Sequence, residues 1–233
     1  MAKSDKTIIL FTRWFPYNKW HEQSFLVDEL RHLDESFKCI VLVPQKLEGE
    51  LFELFGGLKV NTELAGMLGE IGWWAKLRTL SSSLFISEIF RVKFNRKKIR
   101  YALSTLLASN VTMQWVLKNV NPDDENVLYS FWMDYTTLGA IMAAQKDRNL
   151  KVVTRCHNFD IYGTEENGFY VPYQKWMVDR LDKIYPDSRE GENYLTSKFP
   201  NVRCETSLMG VSEPPISNKP SLDNVLRVVS CSH

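Results

Sequence analysis

The sequence predicts an α/β domain built on a doubly wound, mostly parallel sheet with a helical insertion. Three observations lead there. First, TIILFT (7–12) and KCIVLVP (38–44) are short β-rich apolar runs without polar alternation, the pattern of strands buried on both faces of a parallel sheet. Second, Phe25, Leu26, Leu30, Leu33 and Phe37 recur between them at helical spacing. Third, the β-α-β alternation continues to about residue 204, which is the α/β signature.

The first unit is strand 7–12, a loop carrying Pro16 and Asn18, a helix, and strand 38–44, stopped by its proline. Its crossover should be right-handed. The stretch 47–121 is less regular. Five glycines, at 56, 57, 66, 69 and 72, interrupt its start, and 99–120 reads as one long helix ended by Asn121-Pro122. Strand 126–130, a helix over 137–150 and strand 151–154 follow. Residues 173–181 fit a helix, and 183–186 a short strand. Asp187 and Glu190 resemble a capping pair opening a helix that ends near Phe199, before Pro200. Residues 202–204 form a further candidate strand. The three prolines of 212–224 mark a linker, and LRVVSCSH (226–233) is a strand with no sheet of its own. The expected division is a domain over 1–211, a linker over 212–225, and the first strand of a truncated second domain over 226–233.

Composition excludes several classes. Lys plus Arg number 29 against 28 Asp plus Glu, so the global charge offers no footprint for nucleic acid. The four cysteines lie far apart, without metal-site spacing, and read as reduced thiols. The start, MAKSDK, is not a signal peptide. No apolar run approaches the roughly 20 residues of a membrane span. A soluble, cytoplasmic protein is expected.

Candidate chemistry gathers where strands end, because ligands of open α/β sheets sit outside the carboxyl ends. Strand 151–154 runs into Arg155, His157, Asp160 and Tyr162. His157 suits proton transfer or hydrogen bonding near neutral pH, and Arg155 suits phosphate or carboxylate. The bland alternative is a histidine that ties its own loop together. The loop after the first strand carries Arg13, Trp14, Lys19, His21 and Glu22, with no glycine. A dinucleotide site there is disfavoured, since Glu22 competes with an anion for the helix N-terminus. Its aromatics suit a sugar face, or else plug the sheet edge. Trp132 and Asp134, straight after strand 126–130, face the same rim, although Trp132 would also pack under the next helix. Finally, 73–101 holds eight Lys/Arg against one acid, Glu88, among several aromatics. That composition suits a membrane surface or a solvated basic face.

Four segments together resemble the N-terminal half of the large retaining glycosyltransferase family with two facing Rossmann-like domains (the GT-B fold, "glycosyl transferases group 1", family 4-like). They are ILFTRWFPYNKWHEQSFLVDEL, VVTRCHNFDIY, LDKIYPDSREGENYLTSKFP, and MGVSEP followed by LRVVSCSH. The resemblance spans most of the chain except about 45–125. It implies an acceptor-side Rossmann-like domain, with His157 beside the transferred sugar, Arg155 and Asp160 at motif positions, and Glu22 as the acid of the first loop. Many relatives carry glycines in that loop, and this chain does not.

The resemblance further implies retention, a nucleotide-sugar donor met mostly by the second domain, a glycan or lipid-linked acceptor, and no metal or other cofactor. Residues 1–233 alone would be inactive. Peripheral contact with the inner face of a membrane through 73–100 fits such a role. The competing class is a non-catalytic α/β module that binds glycan or protein. An epimerase or dehydrogenase is weakened by the missing glycine fingerprint.

Overall fold

A computed structural model describes residues 3–19, 22–121, 123–146, 149–162, 170–210 and 225. The expected linker (apart from 225) and the strand 226–233 lie outside these residues, as do Trp20 and His21.

Six parallel strands form one sheet in the order β3-β2-β1-β4-β5-β6. They are β1 (Ser4–Thr12), β2 (Phe37–Pro44), β3 (Leu58–Val60), β4 (Asn126–Ser130), β5 (Lys151–Cys156) and β6 (Lys183–Pro186). β1 is central: Ile9 pairs with Val41 of β2 on one side and Leu128 of β4 on the other. Strand order reverses at this point, so the sheet is doubly wound and Rossmann-like. β3 was not anticipated. It is three residues long and paired only with β2.

Alternation along β1 divides the core between two faces. Ile8 and Leu10 pack with Leu26 and Leu30 of α1 (Glu22–Ser36), all almost wholly buried. Burying one such side chain contributes about 2 kcal/mol, so this stripe fixes α1 to the sheet. Ile9 and Phe11 face the other side, toward α5 (Arg96–Asn119) and α6 (Tyr135–Ala144). Phe11 meets Trp115 of α5 edge to face, ring centroids 5.7 Å apart. A Cβ on Gly139 of α6 would come within 2.6 Å of the Ser109 carbonyl oxygen of α5, so only glycine permits this helix contact.

The insertion between β3 and β4 is helical, as expected. It comprises α2 (Glu63–Gly69), α3 (Trp73–Leu80), α4 (Ser83–Arg91) and α5. The remaining helices are α7 (Asn158–Ile161), α8 (Gln174–Val178) and α9 (Arg189–Lys198). The cap of α9 differs from the Asp187/Glu190 expectation. Ser188 is the N-cap and accepts from the Gly191 N–H, while the Asp187 N–H donates to the Cys156 carbonyl. Residues 202–204 contribute a single bridge, Ile184 to Cys204, rather than a full strand.

Candidate functional site

The carboxyl ends of β1, β4 and β5 deliver three loops to one rim. Glu22, the first residue of α1 and 4% exposed, organises two of them. Its Oε1 accepts from the Arg13 N–H (3.0 Å) and the Trp132 indole N–H (2.8 Å). Its Oε2 accepts from the N–H groups of Trp14 (2.7 Å) and Phe15 (2.8 Å). Three successive backbone N–H groups converging after a strand form the nest that phosphate occupies in nucleotide-binding turns. Here the chain fills that nest with its own carboxylate.

Asp134 holds the next part of the rim. Its Oδ1 caps α6, accepting from the Thr136 N–H (2.8 Å) and hydroxyl (2.7 Å), and its Oδ2 accepts from Gln45 Nε2 (3.0 Å). The Arg13 guanidinium lies 3.8 Å from Oδ2 and 5.1 Å from the Trp132 ring centre. Burial pushes the Asp134 carboxyl upward, and Arg13 pulls against it.

A cleft of about 900 Å³ opens beside these residues. Arg13, Trp132, Asp134 and Asp160 line it on the sheet side. Asn95, Lys97, Lys98 and Tyr101 at the start of α5, with Phe159 and Tyr170, line it elsewhere. The wall around Tyr170 is set by buried Glu88 of α4. This carboxylate accepts from the Tyr170 hydroxyl (2.6 Å), the Tyr173 N–H (3.0 Å) and Arg91 (2.7 and 2.8 Å). Tyr173 sits at φ 60 and donates its hydroxyl to the Ala102 carbonyl of α5. A bulky residue held in that left-handed conformation is strained, and these bonds hold it there. Burial alone would raise the Glu88 pKa, but the donors outweigh it and hold the carboxyl below its ordinary value.

His157 lies immediately behind the sheet-side wall. It is 8% exposed, and its ring packs against Trp132 (centroids 4.4 Å) and Phe131 (4.9 Å). Neither ring nitrogen has a hydrogen-bond partner among the described residues; the nearest carboxylate, Asp160 Oδ2, is 3.7 Å from Nδ1. Asp160 instead accepts from the Met133 N–H (3.1 Å). Buried polar atoms are normally paired, so this imidazole is an exception among the described residues, although it does not itself line the cleft.

The structure therefore brings Arg13, Trp132, Asp134 and Asp160 to the cleft, with Glu22 and His157 supporting them. Other candidates point elsewhere. Arg155, 4% exposed, pairs with Glu29 of α1 (3.1 Å) and donates to the Ser207 carbonyl (2.7 Å), tying β5 to the chain beyond α9. Lys19 pairs with Glu48 at the surface (3.6 Å). Trp14 lies under the Lys46 ammonium (5.0 Å), and Tyr162 packs on Tyr194 (4.9 Å). None of these four lines the cleft. The start of α5, which does, was assigned from sequence only to the basic stretch.

In that stretch Trp73, Leu77, Phe90 and Phe94 are exposed beside Lys76, Arg78 and Lys93. Arg91 is committed to Glu88, and Lys97, exposed, and Lys98, half-buried, line the mouth of the cleft. No helix among the described residues is long and apolar enough to cross a membrane.

Fold and site together define a Rossmann-like α/β domain with a basic, aromatic cleft at the carboxyl rim of its sheet. No protein-family model matches the chain, and no curated protein matches it. Solved structures resemble it, two of them trehalose-phosphate synthases. One is an α,α-trehalose-phosphate synthase (UDP-forming) from Burkholderia vietnamiensis, at 11% identity and TM-score 0.45, covering 83% of this chain and 42% of that one. The other is an α,α-trehalose 6-phosphate synthase from Burkholderia multivorans, at 11% identity and TM-score 0.44, covering 84% and 44%. The chain spans less than half the length of either. At these values neither likeness assigns an activity, and the architecture rests on the sheet itself.

Proposed function

We propose that residues 1–211 are the acceptor-side domain of a two-domain GT-B glycosyltransferase of hexosyl type. It moves a sugar from a nucleotide sugar to a glycan or lipid-linked acceptor, with retention, in polysaccharide or surface-glycan synthesis. The donor is met mostly by the second domain, no metal takes part, and the reaction is cytoplasmic. The observation that carries this reading is His157, a buried imidazole with both nitrogens unpartnered among the described residues, beside the Trp132–Asp160 wall of a rim cleft.

In this mechanism the cleft holds the acceptor, and its hydroxyl is directed at the sugar from the Trp132 and Asp134 side. His157 is packed behind Trp132; once that indole swings off its ring, the imidazole hydrogen-bonds the sugar as charge develops on it, a contact stronger in the transition state than in the ground state. Glu22 acts one step removed: it fixes Trp132 and the 13–15 backbone and leaves no nest for a phosphate in this turn. The exposed apolar and basic side chains of α3 and α4 rest on the inner membrane face and bring lipid-linked acceptors to the cleft mouth.

The test uses His157→Phe in the full-length gene product. Phenylalanine keeps the ring contacts with Phe131 and Trp132 and removes both nitrogens. Transfer should fall by about 100-fold while the thermal midpoint stays put. Undiminished turnover would remove His157 from the mechanism.

A further inference from the structure

We infer that the cleft takes an acceptor bearing a phosphate ester, held by Lys97 and Lys98. The inference rests on the acceptor-site reading above and names the class of its ligand.

The argument begins with the charges around the cleft. Three cations and two acids line it: Arg13, Lys97 and Lys98 against Asp134 and Asp160. Both acids are occupied. Asp134 serves Gln45, Thr136 and Arg13, and Asp160 serves the Met133 N–H. Arg13 is thereby balanced. Lys97 and Lys98 have no ion pair among the described residues. The Lys98 ammonium stands 5.6 Å from the Tyr170 ring centre, over the cleft wall.

The usual alternative sink for an anion at this place is already filled. The side chain of Asn95 accepts from the N–H groups of Lys97 and Lys98 (both 3.1 Å). A ligand anion therefore meets the two ammonium groups rather than first-turn amides, with the positive end of a 24-residue helix behind them. A phosphate ester carries between one and two negative charges near neutral pH and matches this pair. A neutral sugar would offer the exposed Lys97 and half-buried Lys98 hydrogen bonds but no opposite charge. The remaining lining is suited to the rest of such a molecule. Trp132 offers a ring face, Ser104 and Thr105 offer hydroxyls, and Tyr101 and Phe159 are more than half exposed.

Two sources share this chemistry, a soluble sugar phosphate and a phosphorylated isoprenoid lipid. Binding to the purified chain is measured by titration calorimetry with four probes: a hexose 1-phosphate, the free hexose, citronellyl phosphate and citronellol. Inorganic phosphate is the fifth arm. At least one phosphorylated probe should bind 10-fold or more tighter than its unphosphorylated partner. Lys97→Ala/Lys98→Ala should remove that advantage, a loss of about 10- to 100-fold for two charged contacts. Lys6→Ala/Lys151→Ala, at the amino ends of β1 and β5 on the opposite rim, should leave it intact. Which phosphorylated probe binds tighter identifies the source.

Equal binding of phosphorylated and unphosphorylated probes would overturn the inference. So would an advantage that survives in Lys97→Ala/Lys98→Ala with its melting curve unchanged, inorganic phosphate binding as well as the esters, or no binding by any probe. The readout needs no turnover. Phosphate selectivity without transferase activity would therefore sink only the transferase reading, and transfer without phosphate selectivity only this one.

Discussion

Replacing Glu22 by glutamine exchanges one oxygen for an amide nitrogen and should cost more than most single substitutions. The carboxylate accepts four hydrogen bonds, two on each oxygen, from the backbone of residues 13–15 and the Trp132 indole. A glutamine side chain offers one oxygen and one NH2. Whichever way the amide turns, two N–H donors then face another donor. Each buried donor left unpaired costs about 1–3 kcal/mol, so Glu22→Gln should lose about 2–6 kcal/mol. That is a large part of the roughly 5–15 kcal/mol that holds a domain folded. At about 2–4 °C per kcal/mol for a chain of this size, a 3 kcal/mol loss lowers the thermal midpoint by about 6–12 °C. Circular dichroism melts of the two proteins side by side measure it. A midpoint within about 2 °C of the parent would refute the view that this carboxylate is the organising acceptor of the rim.

Gly139→Ala should destabilise by about 1–3 kcal/mol, because the added methyl meets both the Thr112 Cβ and the Ser109 carbonyl oxygen of α5, neither of which can move without shifting the helix; urea unfolding tests it, and a neutral result would mean that the α5–α6 contact can open to admit a methyl. Glu88 gives a pH prediction. Its folded pKa is lowered below the ordinary 4.5, so its contribution is complete above that value and is lost as pH falls through the folded pKa. Glu88→Gln should lower stability at pH 7 and flatten the acid limb below about pH 4.5; an unchanged limb in acid melts would count against the assigned network. For the membrane surface, Lys76→Glu, Arg78→Glu and Lys93→Glu together should weaken binding to anionic vesicles by about 1 kcal/mol or more per residue. Equal sedimentation of the variant and parent with such vesicles would rule these residues out.

Much of the sheet was legible because buried parallel strands announce themselves in composition. The bounds of β4 and β6 agree with the apolar runs NVLYS and KIYP. β1 begins earlier than its apolar run because Ser4 pairs with Phe37 through backbone groups, whatever the side chains. α6 begins two residues before the periodic stretch because Asp134 caps it, a local bond that hydrophobic spacing does not register. β3 escaped notice because three residues, Leu58 to Val60, carry no usable period.

The site was legible in position and less so in orientation. The rule that ligands gather at carboxyl ends led to the loops after β1, β4 and β5. It could not separate Arg155, which turns toward Glu29 and Ser207, from Asp160, which faces the cleft. The start of α5 carries a further signal in its connectivity. A helix that leads into a parallel strand begins at the carboxyl rim, so Asn95, Lys97 and Lys98 had to lie beside the loops. Their basic character alone suits a membrane surface equally well, so composition does not distinguish the two.

The most direct measurement is turnover of radiolabelled nucleotide sugars by the full-length gene product, with lipid-linked acceptors present and residues 1–233 assayed in parallel. Label should pass to an acceptor with the full-length protein and not with residues 1–233 alone. No transfer by the full-length protein across a broad donor panel would contradict the glycosyltransferase reading and favour an α/β module that binds glycan or protein without chemistry.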